Sequence, residues 1–257
     1  MPTVSRVRLI ARLDVKGPNL IKGVHLEGLR KVGSPVDFAS RYYEEGIDEI
    51  LVMDVVASLY GRSQLLDIVK ATAGRVFVPL TVGGGVRSVD DFEALLRSGA
   101  DKVAVNTAAT REPKLIEDLA RRFGSQSVVL SVEALQTSPQ KWEAMTDNGR
   151  ERSGRDVLEW VVEATERGAG EVLVTSIDRE GTRTGFDVRL VDAVTHAVST
   201  PVVASGGMGR ISDLVSLAKS TDVTGIAMAD VLHFGRLSVG EVRAEALLAG
   251  LDVRNHD

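Results

Sequence analysis

Eight short runs of apolar and β-branched residues alternate with eight helical patterns along the chain. This alternation restricts the fold more than any other feature. The runs are VRLIARLDV (7–15), EILVMDVV (49–56), VFVPLTVGG (76–84), KVAVNT (102–107), VVLSVEAL (128–135), EVLVTSID (171–178), PVVASGG (201–207) and GIAMADVL (225–232). Helical patterns lie at 34–46, 63–74, 88–99, 113–124, 154–168, 187–199, 210–220 and 238–251. Strands that are hydrophobic almost throughout are buried on both faces, as in a parallel sheet covered by helices. Eight such units in 257 residues favour a closed (β/α)8 TIM barrel of the α/β class over an open doubly wound sheet. No linker-like segment divides the chain, so residues 1–257 are expected to form one domain. Ser34 and Ser88 stand where helix N-caps belong, and Gly46, Gly74, Gly99, Gly124 and Gly168 where C-caps belong. The segment KWEAMTDNGRERSG (141–154) carries an Asn148-Gly149 turn signal and reads as a small hairpin insertion.

The two halves resemble each other. Glu49 and Glu171, Pro79 and Pro201, and Gly84 and Gly206 are each 122 residues apart, and Asp14 and Glu133 are 119 apart. The pattern is a duplicated half-barrel, with a period far longer than that of solenoid repeats. A duplicated barrel presents two similar anion sites and two facing carboxylates at one mouth.

Composition removes several classes of function. A net charge of −5 and a pI near 5.5 give no reason to expect nucleic acid or an anionic membrane as partner. The chain has no cysteine, which excludes disulfides, thiolate metal sites and a cysteine nucleophile. Arg6, Arg8 and Arg12 interrupt the first apolar run, which therefore lacks the core of a signal peptide. No apolar run approaches the roughly 18 residues of a membrane span, so a cytoplasmic protein is expected. His25, His196, His233 and His256 lack metal spacing. His196 is expected at the surface and His233 in packing. Neither metal nor organic cofactor is implied.

Barrel chemistry resides at the C-terminal ends of the strands. Gly83 to Gly85 follow the third strand and Asn106-Thr107 end the fourth; Gly206 and Gly207 follow the seventh and Asp230 ends the eighth. Glycine-rich loops ahead of helices bind anions through backbone N–H groups. One such cluster is an ordinary turn, whereas a pair at matched register fits a substrate phosphorylated at both ends. Asp14 ends the first strand and Glu133 the fifth, diametrically opposed in an eight-strand ring. Facing carboxylates suit general acid/base work, and the alternative is a pair of hydrogen-bonded structural acids. Arg8, Glu49, Lys102 and Glu171 begin four strands, and on the residues alone they read as solvated rim charges.

The motifs ARLDVKG, LIKGVHLEGLR, DEILVMDVVAS, PLTVGGGVRS, GADKVAVNTAA, RFGSQSVV, GAGEVLVTSIDREGT and VVASGGMG together resemble the cyclase subunit of imidazole glycerol phosphate synthase, from histidine biosynthesis, over nearly the whole chain. TSIDREGT separates that subunit from its sister barrel, the isomerase of the preceding step. The resemblance implies a barrel fed with ammonia by a glutaminase docked at its floor. Ammonia would react with a bisphosphorylated ribulosyl aminoimidazole carboxamide to give imidazole glycerol phosphate and aminoimidazole carboxamide ribotide. It implies an acid/base role for Asp14 and a place over the substrate for Lys22 in the mobile first loop. Gly84, Asn106 and Thr107 would hold one phosphate, and Asp178, Thr182, Gly206 and Gly207 the other end. Arg8, Glu49, Lys102 and Glu171 would form an ionic gate to an ammonia tunnel.

The sequence departs from the family pattern at the mouth. The usual IDAK of the fifth strand is VEAL here, so Glu133 stands where the second catalytic Asp belongs and Leu135 replaces Lys. Asp230 occupies a phosphate-donating Ser position, and an ionised Asp repels a phosphate. Gly33-Ser34-Pro35 replaces the usual GDP. These changes raise two alternatives: a paralogous ammonia-channelling subunit that amidates a nucleotide sugar or surface-polysaccharide sugar, and a non-catalytic barrel that only activates a glutaminase.

Overall fold

A computed structural model describes residues 7–56 and 62–255 of the chain; His256 and the segment 57–61 lie outside the described residues. Along the chain come β1 (Arg8–Lys16), β2 (Asn19–Val24), β3 (Glu27–Gly33), β4 (Glu49–Asp54), β5 (Leu80–Gly83), β6 (Lys102–Val105), β7 (Val128–Ser138), β8 (Lys141–Thr146), β9 (Glu151–Asp156), β10 (Glu171–Ser176), β11 (Val202–Ser205) and β12 (Gly225–Met228). The helices are α1 (Pro35–Glu44), α2 (Arg62–Ala73), α3 (Val89–Arg97), α4 (Thr107–Arg111), α5 (Lys114–Phe123), α6 (Val157–Glu166), α7 (Val188–Ala197), α8 (Ile211–Ser220), α9 (Asp230–His233) and α10 (Val239–Leu248).

Eight strands pair in parallel in the order β1-β4-β5-β6-β7-β10-β11-β12, and β12 closes on β1 through Arg8 opposite Gly225. The barrel is closed, as the alternation of elements predicts. Side chains alternate between two cores. Leu9, Ala11 and Leu13 of β1 point outward into the cluster that the helices cover. Ile10, Leu51, Ala104, Val129, Leu173, Val203 and Ala227, one from each of seven strands, fill the lumen. Burying one large aliphatic side chain of this kind contributes roughly 1.5–3 kcal/mol. A charge in the neighbouring layer therefore demands a specific partner.

The helix signals hold with one exception. Ser34 Oγ accepts from Asp37 N and Ser88 Oγ from Asp91 N, caps worth about 1 kcal/mol each. Gly46, Gly99, Gly124 and Gly168 take positive φ after their helices, whereas Gly74 does not. Several boundaries differ from the sequence reading, among them these three. The run at 76–84 becomes a strand only from Leu80, because Pro79 lacks an N–H and only its carbonyl joins the ladder, accepting from Ile50 N at 3.0 Å. The run at 225–232 stops at Met228 and turns into α9. The pattern at 154–168 begins as strand: Asp156 closes β9 and caps α6 through Leu158 N at 2.8 Å and Glu159 N at 3.2 Å.

The insertion after the fifth barrel strand is the expected hairpin, β8–β9, with Asp147, Asn148 and Gly149 at positive φ in its turn. A second hairpin, β2–β3, is formed by LIKGVHLEGLR and was not apparent as strand. It pairs with the end of β1, Ile21 opposite Asp14. It also lies against the far side of the mouth, where His25 N donates to Glu180 O at 2.8 Å and Leu26 packs on Met145 and Ile177.

Candidate active site

Inward-facing residues of the barrel make four layers from floor to mouth. The floor is a closed ring of charge. Arg8 pairs with Glu49 at 2.6 Å and with Glu171, and Lys102 bonds Glu171 at 2.6 Å and Glu49 at 2.8 Å. Thr81 Oγ1 donates to Glu49 at 2.6 Å. Glu49 and Glu171 are buried, so the solvated-rim reading of these charges is wrong: each carboxylate meets two cations because four strands converge at this level. Above the ring lies the apolar layer. Above that lie Arg12, Ser131, Thr175 and Ser205, and then the two acids.

Asp14 and Glu133 sit on β1 and β7, four strands apart in either direction around the ring, and both are buried. Burial penalises the Asp14 carboxylate, but Arg12 and Lys22 outweigh it and hold the group below the usual carboxylate range. Arg12 Nε donates to Asp14 Oδ1 at 2.9 Å and Lys22 Nζ stands 4.0 Å from Oδ2. Glu133 goes the other way. Burial dominates and pushes it up to about 7, against the attraction of Arg12 and a backbone bond from Gly149. The environments thus split two like groups into an anion and an acid that titrates near neutrality, the pattern that acid/base pairs require.

The glycine clusters share a backbone design. Gly84 has φ +106, and a Cβ there would lie 2.3 Å from Asp54 O; Gly206 has φ +96, and a Cβ there would lie 2.8 Å from Ser176 O. Asp54 and Ser176 keep the 122-residue offset, so the duplication extends to the steric reason for each glycine. Asn106 and Ala229 likewise precede the matched short helices α4 and α9, which places Asp230 as the counterpart of Thr107.

The two ends of the mouth are nevertheless unequal. On the Gly84 side lies a cavity of about 320 Å³ lined by Asn106, Thr107, Ser131 and Glu133, with Arg87, Arg111 and Arg150 at its walls. On the Gly206 side only about 20 Å³ remains, between Lys22, Glu180, Gly207 and Asp230. Lys22, expected in the first loop, is a buried residue of β2 that bonds Glu180. Asp230 is not a bare charge: Arg236 Nε donates to it at 3.1 Å and Arg183 Nε stands at 3.7 Å. Asp178 and Thr182 lie outside this lining. Asp178 accepts from Gln136 N at 2.9 Å, and Thr182 Oγ1 donates to Arg179 O at 2.7 Å.

Sequence reasoning passed over Arg12 and Glu180. The signal for Arg12 was present, since Arg8, Ile10, Arg12 and Asp14 alternate on one face of a buried strand. Glu180 lies two residues from Asp178 in a loop, where no periodicity says which acid turns inward. His233 packs as expected, its ring stacked 5.9 Å from that of Tyr42 and its Nδ1 2.7 Å from the Tyr42 hydroxyl, while burial holds it down at about 4. His196 is exposed, and His25 Nδ1 lies 2.8 Å from Ile177 O. Among the described residues no helix is long and apolar enough to cross a membrane.

Comparison with known proteins agrees with this geometry. The model of the family described as histidine biosynthesis protein matches residues 8–238. The chain is 65% identical over 210 residues to the imidazole glycerol phosphate synthase subunit HisF of Legionella pneumophila, covering 82% of this chain and 99% of that protein. It is 49% identical over 253 residues to the subunit of the same name from Beutenbergia cavernae, covering 96% and 98%. With that of Streptococcus sanguinis it is 44% identical over 247 residues, again covering 96% and 98%. The chain belongs to the histidine biosynthesis protein family, among the imidazole glycerol phosphate synthase HisF subunits.

Proposed function

We propose that this chain is the cyclase subunit of an imidazole glycerol phosphate synthase. It takes ammonia from a glutaminase docked at the N-terminal face of the barrel and uses it to convert the bisphosphorylated ribulosyl aminoimidazole carboxamide. The observation that carries this reading is the pair Asp14 and Glu133, facing each other above an apolar lumen that ends in a closed ionic ring. Arg8, Glu49, Lys102 and Glu171 act as the gate: one ion pair opens and a small neutral molecule passes. Ammonia adds to the ribulosyl carbonyl carbon. Asp14, held as an anion, takes a proton from the nitrogen and Glu133 gives one to the carbonyl oxygen, which makes the carbinolamine; Asp14 then passes its proton to that hydroxyl, which leaves as water while Glu133 takes back a proton from the nitrogen of the imine. One phosphate rests on Gly84, Asn106 and Thr107; Gly206 and Gly207, with Lys22, Asp178 and Thr182 around them, receive the other end. The test supplies purified protein with an ammonium salt at alkaline pH and the bisphosphate substrate, without partner. Formation of imidazole glycerol phosphate is expected; no turnover from folded protein overturns the reading.

One observation favours a second reading, ammonia channelling for amidation of a sugar. Glu180 and Asp230 place two carboxylates beside the Gly206 cluster, where a phosphate would sit, and little space remains there. Absence of turnover with the bisphosphate, together with ammonia transfer in a complex with a glutaminase, would move the assignment to that reading.

A further inference from the structure

We propose that Arg12 is a positioning residue for Asp14: its guanidinium bridges the first barrel strand to the two strands across the lumen and fixes both the orientation and the negative charge of that carboxylate. The inference rests on the acid/base reading of Asp14 given above. Arg12 is among the largest fully buried side chains of the molecule, with 2% of its surface exposed. It lies in the layer between the apolar lumen and the acids, where a hydrophobe would suffice for packing. Its planar fork bonds three groups at once. Nε donates to Asp14 Oδ1 at 2.9 Å, and Nη1 donates to Thr175 Oγ1 at 2.8 Å and Ser205 Oγ at 3.0 Å. Thr175 and Ser205 are register partners on β10 and β11, and Thr175 is also the register partner of Glu133 on β7. The guanidinium is thus anchored on the wall that carries the second acid, and it holds the first acid from there. A lysine cannot reproduce this, since its single nitrogen lacks the fork.

The titratable and charged groups around Asp14 come from five elements: Arg12 of β1, Lys22 of β2, His233 of α9 and Glu133 of β7, with Glu180 of the loop after β10 acting on Lys22 and Arg12. His233 is neutral above about pH 4. Lys22 bonds Glu180 and stands 4.0 Å from Asp14, so its charge is shared. Arg12 is the one cation in direct hydrogen-bond contact with Asp14 among the described residues.

The experiment measures kcat against pH at constant free ammonia for wild type, R12M and R12K, and for T175V/S205A. R12M removes charge and fork while keeping an apolar side chain of similar reach. Its kcat is expected to fall about 100-fold, with the acid limb moved about one pH unit upward as Asp14 becomes easier to protonate. R12K and T175V/S205A keep the charge and lose the geometry, so kcat falls at least about tenfold while the acid limb stays in place. A kcat for R12M within about twofold of wild type and an unmoved acid limb would make Arg12 a structural tie and overturn the proposal. Should R12M not fold, full kcat in both R12K and T175V/S205A does the same. If wild-type protein does not turn over, the cyclase reading fails. The Asp14 carboxyl carbon titrated by 13C NMR in wild type and the folded Arg12 variants then decides the matter: a higher titration point without the guanidinium supports the inference, and an unchanged one overturns it.

Discussion

Asn106 Nδ2 donates a 3.1 Å hydrogen bond to Glu133 Oε2, which joins the loop of the Gly84 cavity to the second acid of the mouth. The proposed phosphate loop and the proposed acid are thereby held in register with each other. The same side chain reaches Met145 O at 3.3 Å, which fixes its orientation from the β8 side.

Glu133 titrates at about 7 in the folded protein against an ordinary value of 4.5. A raised carboxylate pKa means that the folded state binds the proton more tightly than the unfolded state. Stability contributed by neutral Glu133 is then present below about pH 4.5 and is lost as pH rises to about 7. E133Q removes this dependence. Relative to wild type, the variant should gain on the order of 3 kcal/mol between pH 4.5 and 8, measured by urea denaturation at several pH values. Parallel stability curves for the two proteins would show that burial does not govern this group.

Asp230 holds Arg236 at 3.1 Å and has Arg183 at 3.7 Å, two guanidinium groups beside the Gly206 cluster. D230S removes the repelling carboxylate, releases both cations and restores a hydroxyl donor. Affinity for the bisphosphate substrate, read by calorimetry, is expected to rise roughly tenfold, since one charge-assisted contact is worth about 1.5–3 kcal/mol. An unchanged affinity would show that the arginines already neutralise Asp230.

At the floor, Lys102 is one of the two cations that Glu49 and Glu171 share. K102M leaves Arg8 as the one cation on two buried carboxylates among the described residues. A loss of about 3 kcal/mol is expected, with Tm lower by roughly 5–10 °C in a thermal melt. Turnover with ammonium salt should persist while glutamine-fed turnover in the complex falls, because the change touches the entry and not the mouth.

The barrel was legible because eight buried strands leave a periodic trace, and the duplication was legible because glycines that cannot carry a Cβ mark its register. Gly84 and Gly206 meet backbone oxygens of Asp54 and Ser176, a constraint each half must satisfy separately. Asp14 and Glu133 stood out as acids at the ends of hydrophobic strands. Less accessible were contacts that depend on a loop crossing the mouth. Lys22 belonged to a segment without strand periodicity, and its partner Glu180 comes from a turn. The ring at the floor was visible as four charges, but pairwise closure depends on four strands converging, which spacing along one chain does not encode. The inequality of the two ends of the mouth was hidden because it arises from side chains, Glu180 and Asp230, on top of a glycine backbone design shared by both halves.

The proposed ammonia-dependent cyclisation depends on Asp14 acting as an anionic base. It is tested most directly by ammonia-fed steady-state kinetics of wild type and D14N with the bisphosphate substrate. The kcat of D14N is expected to lie at least about 100-fold below wild type, with KM for the bisphosphate within a few-fold, since Asn preserves shape but cannot take the proton. A kcat for D14N close to that of wild type would rule out the base role and reduce Asp14 to a structural partner of Arg12.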